Sequence, residues 1–423
     1  MKTEKKISGF NRFFKTLGPG LITGASDDDP SGIATYSQAG AQYGLGTLWT
    51  AWITFPLMAS IQEMCARIGL ATSRGLTSIL KHYYPKWVLY LMLLFSFPAI
   101  VMNIGADIAG MGAVANLIFP KVNANIFSIG FTVLLLLFIV LFPYRKIANV
   151  LKYLAMVLLV YCIVPFLAQT NWLAVLKASV IPHIEWNKEF LGILVGVLGT
   201  TISPYLFFWQ TTMEVEELRE KQKYETTVII ASSRMYKEMK TDINVGMLFS
   251  NLVMYFIILT TGSVLAAGGI HRIDTVEQAA QALRPLAGDM AYYLFAIGVI
   301  GTGLLAIPVL SGSLSYIFSE TFDWPMGLDK KFHSAKGFYI IIAISLIVGL
   351  LMTNLGISPV KELVYSAILY GLTAPVLIAI IIHICNNKEI MGEHVNGLKS
   401  NILGGITLLF MTAAAVALLY FMF

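Results

Sequence analysis

Residues 18–44 read GPGLITGASDDDPSGIATYSQAGAQYG, an apolar stretch interrupted by Asp27-Asp28-Asp29 and then at once by Pro30. A continuous helix crossing a bilayer here would carry three carboxylates near its middle. One intramembrane charge costs about 2.5–3.5 kcal/mol on insertion scales, so three together do not face lipid. Pro30 removes a backbone donor and clashes with the preceding turn, so the helix breaks at Asp29-Pro30. An acidic cluster at a break in a membrane helix reads as a cation site.

The rest of the chain supports a bilayer setting. Hydrophobic residues make up 57% of the 423 and charged residues 13%, and the mean hydropathy of +0.73 lies outside the range of ordinary soluble domains. A membrane span needs about 20 mostly apolar residues. Eleven segments qualify, at 15–42, 46–70, 86–117, 123–143, 148–168, 188–217, 241–267, 287–319, 337–354, 359–384 and 400–422. Of the 29 Lys and Arg, all but Lys121, Lys177, Lys188, Arg272, Arg284 and Lys361 fall on the side of the N-terminal tail. Positive charge collects on the cytoplasmic side, so the N-terminus is expected inside, with residues 1–14 as a cytoplasmic tail. That opening stretch lacks a short apolar core ending in a small-residue cleavage site and is not read as a removable signal. The net charge of +5 is thus a topology signal, and nucleic-acid binding is not expected. Three scattered cysteines, Cys65, Cys162 and Cys385, form no disulfide or zinc pattern.

A second break is expected in the sixth span, LGILVGVLGTTISPYLFFWQ, at Ser203-Pro204. Five spans is an odd number, so spans 1–5 (15–168) and 6–10 (188–384) form two halves of opposite orientation, each opening on an interrupted helix. The span at 400–422 is an eleventh. Corresponding broken helices in two halves point to a transporter's substrate site, because unwound backbone at that depth must line a cavity or be buried in protein. The expected fold is therefore all-α and polytopic.

The side chains at the breaks are oxygen donors. Hard divalent cations prefer such ligands, and Mg2+ retains several waters while using one or two carboxylates. Asp29 directly precedes the first break; the blander reading is that the aspartates cap the second helix segment. Asp27 and Asp28 are further candidates that point to different faces. Thr200, Thr201, Ser203 and Tyr205 offer hydroxyls and carbonyls, with intrahelical back-bonding as the plain alternative for the threonines. Neither broken segment has methionine, cysteine or histidine within a few residues of its break, and oxygen-only sets suit Mg2+, Ca2+ or Mn2+ over softer metals. Asp107, in the small-residue run MNIGADIAGMGA, is read as part of a polar pathway or as the partner of a lysine or arginine. Glu63 and Arg67, spaced i,i+4, are expected to pair. Glu214, Glu216 and Glu217 read as a solvated turn, with an ion exit as the alternative. The charged stretch 218–240 reads as an inner-surface segment, and His383 as an interfacial residue.

These residues resemble the Nramp divalent-metal transporter family over most of the chain. The resemblance lies in Gly18-Pro19-Gly20, the Asp29-Pro30-small motif, Gln38–Gly44 and the break at Ser203-Pro204. It implies a LeuT-type five-plus-five inverted repeat, shared with sodium-coupled amino-acid symporters. The family pattern is Asp-Pro-Gly-Asn in helix 1 and Met-Pro-His in helix 6. Here the aspartate falls on Asp29, the asparagine on Gly32, the methionine on Ser203 and the histidine on Tyr205. A second helix-6 histidine falls on Gln210, which joins Asp107 as a candidate polar pathway, and an acidic pair in helix 3 falls on Asp107 and Gly110. The correspondence implies main-chain ligation by Ser26 and Thr200. Losing the thioether weakens preference for Mn2+ and Fe2+, and losing imidazoles and an acid speaks against proton coupling. The pattern is similar to the Nramp-related magnesium transporters, which take a partly hydrated ion.

The expectation is therefore a divalent cation importer of a prokaryotic plasma membrane. It takes Mg2+ and also Mn2+ by alternating access without strong proton coupling, and needs no cofactor and no obligate protein partner. The alternatives are a proton-coupled Mn2+/Fe2+ symporter of the same family and an amino-acid symporter of the same fold, whose anionic substrate a triple aspartate would repel. An intramembrane aspartyl protease would need two carboxylates sharing a proton, and no GxGD signature is present.

Overall fold

The structure, a computed structural model, describes residues 18–142, 156–168, 170–222, 231–353 and 356–422. The first apolar run forms two short helices, α1 (Pro19–Asp27) and α2 (Pro30–Tyr43), separated by Asp28 and Asp29. The sixth run forms α8 (Lys188–Thr201) and α9 (Pro204–Gln222). Pro30 and Pro204 each occupy the first position of the new helix, where a proline's fixed φ is accommodated and its missing N–H leaves no hydrogen bond unmade.

Between and after them run α3 (Trp49–Thr72), α4 (Leu76–Tyr83), α5 (Lys86–Ile118), α6 (Ala124–Leu141) and α7 (Trp172–Val180). They are followed by α10 (Ser233–Thr261), α11 (Ala291–Phe322), α12 (Lys336–Met352), α13 (Pro359–Asn386) and α14 (Leu398–Met422). Among the described residues, seven helical stretches are long and apolar enough to cross a membrane. The halves of span 1 are each too short, α12 has 17 residues, and α3 carries Glu63 and Arg67 inside it. For the span expected at 148–168, residues 148–155 lie outside the described residues; 156–167 form a 3-10 run and a short helix. Residues 223–230 of the expected inner-surface segment also lie outside them, while 218–222 continue α9 and 233–240 begin α10.

The two interrupted helices pack on each other crosswise in sequence: α8 lies against α2, and α9 against α1. This pairing makes them antiparallel, so both breaks meet at one level. Helices α3 and α10 pack on this pair, while α5, α6, α11 and α12 form a second group. Helix α13 touches both α8 and α5. The tightest approaches run through glycine. A Cβ on Gly24 would fall 2.2 Å from the Gly246 carbonyl oxygen, and one on Gly199 would fall 2.2 Å from the Ala367 carbonyl oxygen. Small residues let membrane helices close to backbone contact, where packing replaces the hydrophobic drive that lipid cannot supply. The outer surface is apolar, with Leu94, Leu137 and Leu409 well exposed, as a lipid-facing belt requires.

Candidate metal centre

Asp29 caps the N-terminus of α2. Its Oδ1 accepts from the Gly32 N–H and the Ser31 hydroxyl, each at 2.7 Å, and its Oδ2 accepts from Asn103 Nδ2 at 2.8 Å. The capping reading of Asp29 is thus met. Asp27 and Asp28 turn toward α10, where the Ser250 hydroxyl lies 2.8 Å from Asp27 Oδ2 and 3.4 Å from Asp28 Oδ1. The other oxygen of each, Asp27 Oδ1 and Asp28 Oδ2, is buried without a hydrogen-bond partner.

At the second break, the two residues standing where the family pattern has methionine and histidine both engage carbonyls. Ser203 donates to the Thr200 carbonyl at 2.6 Å. Tyr205 reaches across to donate to the Ser26 carbonyl at 2.9 Å. The expected main-chain ligands therefore each hold one hydrogen bond and keep a second lone pair. Gly32 faces the same space: a Cβ there would lie 3.2 Å from the Asp27 carbonyl oxygen and 3.3 Å from Thr200 Oγ1. Tyr36 on α2 meets Thr201 at 3.1 Å.

All of these groups are buried, Asp27, Asp28, Asp29, Ser203 and Thr200 at 2% exposure or less. No ion pair among the described residues involves Asp27, Asp28, Asp29 or Asp107. The lysine or arginine partner weighed for Asp107 is thus not found: Asp107 is fully buried and neither oxygen makes a hydrogen bond. Among the described residues no three His, Cys, Asp or Glu side chains group closely enough to hold a metal by themselves. A cation here would have to draw on carbonyls, hydroxyls and its own water.

Other expected residues fall elsewhere. Gln210 lies within α9, below the break; it accepts from Thr23 at 2.5 Å and donates to Glu214 at 2.9 Å. Glu214 is not in a solvated turn: it sits within α9 at 4% exposure, because α9 packs against α1 and α3 along this length. Glu63 and Arg67 do not pair. Glu63 meets Lys240 at 3.2 Å, and Arg67 donates to Asn396 at 2.6 Å, each finding a partner on another element. His383 meets the Tyr84 hydroxyl in an exposed setting.

Sequence reasoning missed several groups. Asn103 stands one turn before Asp107, and a buried amide in an apolar span was a readable signal. Ser250 and Ser366 carry no such mark, since serine is common in membrane helices. Met254 on α10 brings a thioether near the second break, its sulfur 3.5 Å from Thr201 Oγ1. Met254 lies outside both broken helices, so the composition around the breaks carries no sign of it. Asp242, also on α10, accepts from the backbone N–H groups of Gly18, Gly20 and Leu21 at 2.8, 2.6 and 3.1 Å, anchoring the start of α1.

Two opposed interrupted helices around a buried polar centre define a transporter of the inverted-repeat class. The sequence profile of the Natural resistance-associated macrophage protein-like (Nramp) family matches residues 20–421, and the chain belongs to that family. It is 24% identical over 411 residues to a divalent metal cation transporter MntH of Caldanaerobacter subterraneus, covering 97% of this chain and 93% of that one. It is 23% identical to the protein of the same name from Bacillus subtilis, covering 93% and 89%. In structure it resembles the Eremococcus coleocola manganese transporter, with a TM-score of 0.75 at 17% identity over 98% of this chain and 87% of that one. MhsT, solved with L-phenylalanine, gives a TM-score of 0.63 at 12% identity over 94% and 98%. The fold is LeuT-type.

Proposed function

We propose that this Nramp-family divalent metal cation transporter imports Mg2+, and Mn2+ as a second substrate, across the plasma membrane with its N-terminus in the cytoplasm. It works by alternating access of two inverted halves, 15–168 and 188–384, without strong proton coupling. Family membership sets aside the enzyme reading. The observation that carries the ion choice is the pair of hydroxyls at Ser203 and Tyr205, turned onto the carbonyls of Thr200 and Ser26. Where a thioether and an imidazole of the sixth span would select a soft, dehydrated ion, positions 203 and 205 carry oxygen, which suits a hard one; the Met254 sulfur nearby is engaged by Thr201 Oγ1 at 3.5 Å.

Asp29 supplies the charge, the Ser26 and Thr200 carbonyls supply dipoles, and Gly32, without a Cβ, leaves the Asp27 carbonyl and Thr200 Oγ1 uncovered. Asp27 and Asp28 complete the negative field. A partly hydrated Mg2+ needs only one or two carboxylates. Inward movement of a divalent cation gains about 4.6 kcal/mol from a 100 mV potential, at about 2.3 kcal/mol per charge, so proton coupling is not required energetically. One feature favours the proton-coupled alternative: Asp107, buried without a hydrogen-bond partner. Uptake into proteoliposomes carrying an internal pH dye decides between them. Mg2+ entry driven by potential alone, with no dye response, is expected. A stoichiometric proton flux with each ion overturns the uncoupled reading.

A further inference from the structure

We infer that Asn103 is a positioning residue for Asp29: bridged to α13 through Ser366, it orients the carboxylate oxygen that remains for the ion. The inference rests on the reading of Asp29 as the ion's ligand.

Asp29 Oδ1 is committed to the cap of α2 by two donors at 2.7 Å. Oδ2 takes Asn103 Nδ2 at 2.8 Å. A carboxylate oxygen accepts along roughly two lone-pair directions, so Oδ2 keeps one for a cation. The direction of that lone pair depends on where the Asn103 amide sits.

The amide itself is held. Ser366 Oγ lies 2.9 Å from Asn103 Oδ1 and 2.8 Å from the Leu363 carbonyl oxygen and shares its one proton between them, while the acceptor Asp29 Oδ2 sets the NH2 end of Asn103 toward itself. Asp29, Asn103, Ser31 and Ser366 are all buried, so bulk water does not stand in for a lost partner. Three elements meet in this chain: the break between α1 and α2, α5 with Asn103, and α13 with Ser366. Helix α13 backs the second break as well, since the Tyr370 ring lies 5.7 Å from that of Tyr205. A lysine or arginine at position 103 would neutralise Asp29 and repel the ion, whereas a neutral amide orients the carboxylate without competing for it. Partners that orient a metal ligand are worth about 10–100-fold in affinity.

The test uses the purified full-length chain. Calorimetric titration with Mg2+ and with Mn2+ is combined with concentration-dependent uptake in proteoliposomes. Asn103→Ala is expected to weaken Kd about 10–100-fold and to raise KM in step, with the maximal rate within about twofold. Asp29→Asn is expected to abolish binding. Wild-type Kd in Asn103→Ala alongside lost binding in Asp29→Asn overturns the inference and leaves the ligand reading standing. Retained binding in Asp29→Asn overturns the ligand reading itself. A reduced maximal rate at unchanged KM assigns Asn103 a purely structural role and overturns the inference. Should Asn103→Ala not be monodisperse, Ser366→Ala decides, because it leaves the amide in place but free to rotate. A weakening of about threefold or more supports the inference, as one lost buried hydrogen bond would give, and an unchanged Kd overturns it.

Discussion

Tyr205 and Ser26 are joined across the two helix breaks by a hydrogen bond of 2.9 Å from the phenol to the backbone carbonyl. The side chain in the position of the family's imidazole therefore reaches the carbonyl expected to hold the ion. Tyr205→Phe removes this donor and frees the carbonyl. It is expected to cost about 1 kcal/mol of stability, the net worth of a typical buried hydrogen bond, and to leave Mg2+ binding in place. Thermal unfolding and calorimetry check it; complete loss of binding would make the hydroxyl a ligand in its own right.

Asp29 is both a cap and a charge, and two substitutions separate the roles. Asparagine caps a helix as well as aspartate does, whereas alanine costs about 0.5–2 kcal/mol. Asp29→Asn should therefore lose divalent transport while unfolding close to the wild-type temperature, and Asp29→Ala should lose both. Transport by either variant at the wild-type rate removes Asp29 from the ligand set.

Ser203 is buried at 1% exposure beside the second break. Ser203→Met introduces a thioether, and soft ligands favour Mn2+ and Cd2+ over Mg2+. The ratio of Mn2+ to Mg2+ affinity should rise at least about tenfold, a difference of some 1.4 kcal/mol. An unchanged ratio would mean that position 203 does not face the ion.

Gly32 opens on the Asp27 carbonyl and on Thr200 Oγ1, leaving only 3.2 and 3.3 Å for an added Cβ. The added methyl of Gly32→Ala should crowd an ion that carries water more than one that has shed it. Mg2+ uptake is then expected to fall further than Mn2+ uptake in competition assays. Equal losses for both ions would argue against a retained water shell.

Asp242 grips the start of α1 through three backbone N–H groups. A hydrogen bond to a charged group is worth about 1.5–3 kcal/mol, so Asp242→Ala should loosen α1 from α10. In a cysteine-free background, labelling of Thr23→Cys by a polar thiol reagent should speed up in this variant. Labelling at the parental rate would show that the glycine contacts with Gly246 hold α1 alone.

Local chemistry determined the two breaks in this protein. Pro30 and Pro204, each directly after a polar residue in an apolar run, marked the centre before any packing was known, whereas Pro56, Pro98, Pro308 and Pro375, each after an apolar residue, sit inside continuous helices. The count of apolar runs and the side on which lysine and arginine collect are equally local. Only the tertiary structure decided what each polar group meets. Glu63 left the nearby Arg67 for Lys240, and Glu214 went into the protein rather than into water. Met254 arrived at a break from a different helix, and Asn103 and Ser366 met across α5 and α13 to hold Asp29. Such pairings depend on which helix faces lie within about 3 Å of each other after the bundle has closed. Spacing along one chain segment carries no record of that distance, because the partner stands on another helix and its rotation about its own axis is set by packing.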